Sequence, residues 1–168
     1  MLATSQKSGA GNSMWLWLQD TSLALWVGES IWAYPVILSL HAIGLATAVG
    51  VFWMRDLSLL GACPGLPPVA FLQIGKLGFG GFVLNAMSGS LLFISQADTF
   101  AHSTPFLVKI SCIAVAMVLA VCIQSRLRGS LAENAGNVPV PGTLRLLALV
   151  SLLLWLTAII AGRLIAYL

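Results

Sequence analysis

The stretch that decides the fold is IWAYPVILSLHAIGLATAVGVFWM, residues 31–54. It contains no Asp, Glu, Lys or Arg, and its single histidine is His41. A helix needs about 20 consecutive, mostly apolar residues to cross the hydrocarbon core of a bilayer, which is roughly 30 Å thick. The stretch therefore predicts a transmembrane helix.

Three further stretches have the same apolar character, at residues 77–97, 105–123 and 146–168. Of the 168 residues in the chain, 59% are hydrophobic and only 8% are charged, and the mean hydropathy is +0.98. A soluble domain carries about 25% charged residues, so this chain could not cover its surface in water. We predict an all-α membrane protein in which four transmembrane helices form one bundle, a single domain over residues 14–168.

The segment before the first span, residues 14–27, differs from the spans. It contains three tryptophans, but it is too short to cross a bilayer and carries Asp20 at its centre. Tryptophan favours the membrane–water interface, so we predict an N-terminal interfacial helix. We expect it to be retained rather than cleaved as a signal peptide, because one basic residue precedes it and no A-x-A site follows. The polar residues 1–13 predict a disordered tail.

The positive residues predict the orientation of the bundle. In a four-span protein the first and third loops share one end, here called the basic end, and both termini and the second loop share the other, here called the terminal end. The basic end carries Arg55, Lys76, Arg126, Arg128 and Arg145, and the terminal end carries Lys7, Lys109 and Arg163. Because Lys and Arg are enriched in cytoplasmic loops, we expect the basic end in the cytoplasm and both termini outside, which is the periplasm in a Gram-negative bacterium. The charges form no basic stripe, so we expect no nucleic-acid partner.

Small residues at a spacing of four predict close contacts between the helices, because apolar burial does not drive helix association in lipid. In the first span Gly44 pairs in this way with Ala48, and Ala46 pairs with Gly50. The most polar residue of the second span is Asn85, which we expect to form an interhelical hydrogen bond.

Several stretches, read together, resemble one family. They are WLWLQDTSLALWVGES at 15–30, WAYP at 32–35, HAIGLATAVG at 41–50, DLSLLG at 56–61, FLVK at 106–109 and LLLWLTAIIAGRLIAY at 152–167. The chain is similar in these motifs to a large family of uncharacterised bacterial four-helix inner-membrane proteins, a domain of unknown function. The resemblance covers nearly the whole of residues 14–168. It implies the same four-helix fold and brings no established activity.

The resemblance also implies which positions recur in the family: His41, Asp56, Gly61, Lys109, Gly162 and Arg163. Family members often carry a carboxylate three residues before the histidine, where this chain has Leu38. A role that requires this acid is therefore not expected here.

His41 is the sharpest functional candidate, since ionisable side chains inside a membrane are costly and are often functional. It lies ten residues into the first span, about 15 Å deep at a rise of 1.5 Å per residue. Two functional interpretations are an axial ligand of a b-type haem, and a proton relay or copper ligand. The third interpretation is a neutral histidine that is hydrogen-bonded across helices, to Ser88 or Ser90.

A haem at His41 would need a second ligand or a five-coordinate iron. His102 lies in the second loop, roughly 15 Å from His41 along the membrane normal, so we do not expect both histidines to bind one iron. Met87 and Met117 lie at a similar depth to His41 and are candidate second ligands, although methionines often only fill gaps. Cys112 is a weaker candidate for a copper site with His41.

Charged residues mark both ends of the bundle. A candidate charged face at the terminal end, able to bind an anion, a lipid head group or a periplasmic partner, consists of Glu29, Asp98, His102, Lys109 and Arg163. The alternative for Lys109 and Arg163 is that they extend to the interface as anchors. At the basic end we expect Arg55 and Asp56 to form an anchor with a local ion pair.

Sequence motifs of enzymes are missing: the chain has no GxSxG elbow, HExxH helix or P-loop. We therefore expect no catalytic activity of its own. Three functions stay open: a haem-binding or redox-associated subunit built around His41, a structural or accessory subunit that docks other membrane subunits or a second copy, and a small oligomeric transporter. Colour separates the first from the second, because haem absorbs visible light.

Overall fold

The computed structural model describes residues 14–63, 65–134 and 140–165. The predicted disordered tail at 1–13 and the last three residues of the predicted fourth span lie outside these ranges. The described residues form helices joined by short turns, with no strand among them.

Four helices are long and apolar enough to cross a membrane, which confirms the predicted four-helix membrane fold. The first span is Ala33–Leu59, the second Phe71–Ser95, the third Thr104–Asn134 and the fourth Gly142–Leu164. A single 3-10 turn, Pro68–Ala70, precedes the second span, and a short helix, Ala97–Ala101, follows it.

The helices extend beyond the apolar stretches that predict them. The polar sequence of residues 129–142 predicts a loop, but the third helix continues to Asn134, so this prediction is wrong for the first part of the stretch. Hydropathy detects the segment inside the bilayer, whereas the backbone hydrogen-bond ladder continues into water wherever the residues favour it. Gly129 costs only about 1 kcal/mol inside a helix, too little to end a long one.

The N-terminal segment is also divided differently from the prediction. Residues 14–19 are helical, a turn follows, and a second short helix covers Ser22–Glu29. Thr21 causes the break, because its hydroxyl accepts a hydrogen bond from the Ala24 amide at 3.3 Å and so begins a new helix. The expected single interfacial helix is therefore two short ones. Val27 is fully buried and packs with Ala33 against the second span.

The first and second spans approach each other through glycine. A Cβ added to Gly44 would lie 2.6 Å from the Asn85 amide nitrogen and 2.8 Å from the Gly81 carbonyl oxygen. A Cβ added to Gly81 would lie 2.9 Å from the Ala48 nitrogen. Both distances are shorter than van der Waals contact, so only glycine permits this separation of the two backbones. The predicted Gly44–Ala48 contact face is therefore used inside the chain.

The fourth span packs on the first and the third, which closes the bundle. At the basic end the last turns of the first and third spans meet the first turns of the fourth in one apolar cluster of Leu59, Ile123, Leu127, Leu144 and Ala148. At the terminal end Phe93 stacks on Phe106 at 5.2 Å between ring centroids. The two ends of the bundle are thus sealed by different contacts.

Candidate functional site

His41 lies against the second span, half-buried between the two closest helices. Its Nδ1 lies 3.0 Å from the Asn85 carbonyl oxygen and 3.3 Å from the Ser88 hydroxyl oxygen. A ring nitrogen that donates to a carbonyl carries the proton, so the neutral ring has its lone pair on Nε2. The expected hydrogen bond across helices involves Ser88, whereas Ser90 is exposed and bonds to the Ala86 carbonyl at 2.8 Å.

Asn85 completes this neutral cluster from the other side. Its Nδ2 donates to the His41 carbonyl oxygen at 2.9 Å and also lies 3.2 Å from His41 Nδ1. The interhelical hydrogen bond expected of Asn85 is present. A side chain that bonds to the backbone of the neighbouring helix fixes the register of the two helices.

Gly89 makes room for the imidazole ring. A Cβ at this position would lie 2.9 Å from His41 Cε1, so any side chain here would displace the ring. His41, Asn85, Ser88 and Gly89 therefore form one unit, here called the histidine cluster. Its polar contacts link the first span to the second and involve neither of the other spans.

Lys109 reaches the same region from the third span. Its side chain is partly buried and lies along Gly162 of the fourth span, where an added Cβ would be 3.4 Å from Lys109 Cδ. Gly162 thus provides space for the aliphatic part of the Lys109 side chain. Lys109 points into the bundle rather than joining a ring of charges.

Arg55 and Asp56 form a second polar centre near the basic end. Arg55 donates to Asp56 Oδ1 from Nε at 2.8 Å and from Nη2 at 2.7 Å, and its Nη1 donates to the Ala120 carbonyl oxygen at 3.1 Å. The side chains are 1% and 0% exposed. The expected ion pair is present, but both side chains lie inside the bundle, whereas an interfacial anchor would reach the lipid head groups. The guanidinium also lies 5.2 Å above the Phe52 ring.

The candidate haem and copper ligands are not brought together around His41. Met87 is 66% exposed on the outside of the second span, away from the buried side that carries Asn85. Met117 packs against the apolar cluster that contains Trp155. Cys112 is partly buried on the third span. Among the described ranges no three His, Cys, Asp or Glu side chains lie together as a metal site would need.

The candidate charged face at the terminal end divides into separate groups. His102 lies in the second loop as expected, and its Nδ1 is 2.9 Å from the Asp98 carbonyl oxygen and 3.8 Å from Asp98 Oδ1. Glu29 and Arg163 are exposed, and Lys109 is directed inwards. Asp98 and His102 lie together within the second loop.

Two buried polar residues of the third and fourth spans escaped the sequence analysis. Gln124 donates from Nε2 to the carbonyl oxygens of Phe71 and Leu72, both at 3.3 Å, and so ties the third span to the start of the second. Ser151 on the fourth span is fully buried and faces the Asp56 carboxylate. The signal was available in part, because Ser151 interrupts the apolar run LLALVSLLLW and Gln124 continues the spacing of Ala116 and Ala120.

Comparison with protein-family models, with curated proteins and with solved structures gives no match to this chain. Its possible function is therefore argued from its own residues. The two polar centres are held mainly by contacts within the chain, and such contacts stabilise a bundle. The exposed surface of the bundle is therefore the best guide to its role.

Proposed function

We propose that this chain is a non-catalytic accessory subunit of a membrane assembly, and that it packs a transmembrane helix of a partner against its first span. The observation that carries the proposal is a face of four small residues, here called the small face, that nothing in the described chain covers: Ser39, Ala42, Ala46 and Gly50. All four are exposed, and a Cβ added to Gly50 would meet no atom within 4 Å.

The first span has small residues on two sides. With about 3.6 residues per turn, the small face and the Gly44–Ala48 pair lie on nearly opposite sides of the helix. The second side is packed so closely against Gly81 and Asn85 that a Cβ added to Gly44 would lie within 3 Å of their backbone atoms. In lipid, close helix contacts of this kind come from small residues rather than from large apolar ones. A partner helix could approach the backbone of the first span at the small face as closely as the second span does on the other side.

Cross-linking in native membranes tests this proposal. Cys63, Cys112 and Cys122 are first replaced by serine, and a single cysteine is then introduced as Ala46→Cys. This cysteine is labelled with benzophenone-4-maleimide, and we expect illumination to give a covalent adduct with a partner, because the excited benzophenone inserts into C–H bonds of any protein beside it. The matched control is Gly80→Cys on the second span, which is also exposed and also has no atom within 4 Å of an added Cβ.

The mass of the adduct identifies the partner class. Twice the mass of the chain means a second copy, and any other mass means a different subunit that mass spectrometry can identify. An absence of adduct at Ala46→Cys, or equal yields at both positions, would show that the small face meets only lipid, and the proposal would be wrong.

A redox-associated subunit with a b-type haem is the second candidate, and one observation favours it. The Asn85 carbonyl accepts from Nδ1 of His41 and leaves the lone pair on Nε2, which is how histidine ligands of metals are commonly oriented. The Asn85 Nδ2 lies 3.4 Å from Nε2 and would have to give way to an iron. The other described residues do not fit a six-coordinate haem within one chain, because Met87 faces outwards and Met117 packs in the apolar core. A second ligand would have to come from a partner.

A reduced-minus-oxidised visible spectrum of the detergent-purified protein tests the haem. A Soret and α-band pair that is present in the wild type and absent in His41→Ala would establish this candidate. A colourless wild-type protein at good yield would remove it for the isolated chain.

A further inference from the structure

The basic end contains an open cavity between the third and fourth helices. Its volume is about 310 Å³, and it is lined by Arg126, Gly129, Ser130, Pro141 and Leu144. Gly129 borders the cavity, and a Cβ added there would meet no atom within 4 Å. The lining combines one guanidinium and one hydroxyl with apolar carbon, which is the composition expected where a head group meets a bilayer.

The charge around this cavity is strongly positive. Arg126 lines it, while Arg128, Arg145 and Lys76 are exposed on the same end of the bundle. In residues 60–80 and 121–150 of the sequence, Glu133 is the one acidic residue. Asp56 lies at the same end, but it is buried against Arg55 and neutralised by it. An anion that approaches this end therefore meets an excess of positive charge.

The depth of the cavity matches the head-group layer. The apolar stretch of the third span ends at residue 123, and Arg126 to Ser130 follow it by three to seven residues, or roughly 5–10 Å of helix. One and two turns towards the bilayer centre, on the same side of the helix as Arg126, lie Cys122 and Val118, and both are exposed. A molecule that binds Arg126 through a phosphate would therefore have an apolar helix face beneath it for acyl chains.

We infer that the cavity binds the phosphate of an anionic phospholipid. Arg126 donates to the phosphate oxygens, Pro141 and Leu144 contact the glycerol region, and the acyl chains lie along Val118 and Cys122. Arginine is suited to phosphate because its guanidinium presents two parallel N–H donors, and basic pockets between transmembrane helices bind anionic lipids in this way. The site is independent of the small face and of His41.

Native mass spectrometry of the purified full chain tests the inference. Phosphatidylglycerol or phosphatidylcholine is added to the protein in detergent, and bound lipid is counted for the wild type and two variants. Phosphatidylglycerol should be retained in preference to phosphatidylcholine by the wild type. Arg126→Gln should lower its retention about tenfold, as expected for the loss of a charge-assisted contact. The matched control Arg128→Gln lies on the same helix but outside the cavity and should change retention less than about twofold.

Three results would overturn the inference. Equal retention of phosphatidylglycerol by wild type and Arg126→Gln would remove Arg126 from the site. Equal losses in Arg126→Gln and Arg128→Gln would show a diffuse attraction to positive charge rather than a built site. Displacement of the lipid by millimolar inorganic phosphate would show that the cavity recognises the anion without its acyl chains. Arg126 is exposed, so both variants should elute from size exclusion as the wild type does.

Discussion

The two polar centres of this bundle differ in how their buried polar groups are satisfied. The histidine cluster is neutral and is held by carbonyl and amide groups of two neighbouring helices. The Arg55–Asp56 centre is charged, and its two members neutralise each other before any other contact is counted. The two centres show that a buried neutral side chain can be satisfied by hydrogen bonds to nearby backbone groups, whereas a buried charged side chain needs a partner of opposite charge.

The largest effect in this comparison is expected from breaking the charged centre. Asp56→Ala leaves the Arg55 guanidinium buried without its counter-charge and should lower the free energy of unfolding by about 3–5 kcal/mol. Denaturation in mixed micelles with increasing dodecyl sulfate measures this change. The double variant Arg55→Met/Asp56→Leu removes both charges and should recover most of the loss. A double variant as unstable as Asp56→Ala would contradict the pairing argument.

A smaller effect is expected from separating the helices that hold the histidine cluster. Gly44→Ala places a Cβ 2.6 Å from the Asn85 nitrogen, so the second span must move outwards. We expect a loss of about 1–3 kcal/mol in the same assay. Gly80→Ala is the control, because its Cβ meets no atom within 4 Å; it should be neutral or stabilise by up to about 1 kcal/mol through helix propensity. Equal effects at the two glycines would show that contact between helices is not what Gly44 provides.

The smallest effect is expected from removing one neutral hydrogen bond. Asn85→Ala deletes the 2.9 Å bond to the His41 carbonyl and should cost about 0.6 kcal/mol, and at most about 1.7 kcal/mol, as interhelical hydrogen bonds in membranes usually do. Ser90→Ala, an exposed hydroxyl that bonds within its own helix, provides the reference and should change stability less. A cost for Asn85→Ala equal to that of Asp56→Ala would remove the distinction between the two centres.

The fold could be predicted from the sequence because very few backbone conformations are stable in the hydrocarbon core of a bilayer. A stretch such as residues 31–54 can satisfy its backbone in hydrocarbon only as a helix. The ends of the helices were less accessible, because hydropathy carries no signal once the helix leaves the bilayer. The third helix therefore continues to Asn134, although no apolar pattern predicts its last part. Thr21 shows a different case, where one hydroxyl begins a new helix within a segment that was predicted as a single helix.

The candidate site was predicted in its chemistry but not in its geometry. The contact of His41 with Ser88 could be anticipated from the depth of the two residues. The roles of Gly89 and of Lys109 could not, because they depend on how far each helix is rotated about its own axis. Rotation also decides that Ala46 faces outwards while Gly44 faces the second span, although both pairs have the same spacing in the sequence. The spacing of small residues therefore indicates that a contact face exists, but only the packing of the bundle shows which helix contacts that face.

The adjacency of Arg55 and Asp56 has a consequence for biosynthesis. Both hydrogen bonds that neutralise the pair run between consecutive residues of one helix, so they can form as soon as this helix leaves the ribosome. Ala120 and Ser151, which join the centre in the finished protein, are synthesised only later. The first helix therefore carries its own counter-ion, and the neutralisation of Arg55 does not depend on the helices that are synthesised after it.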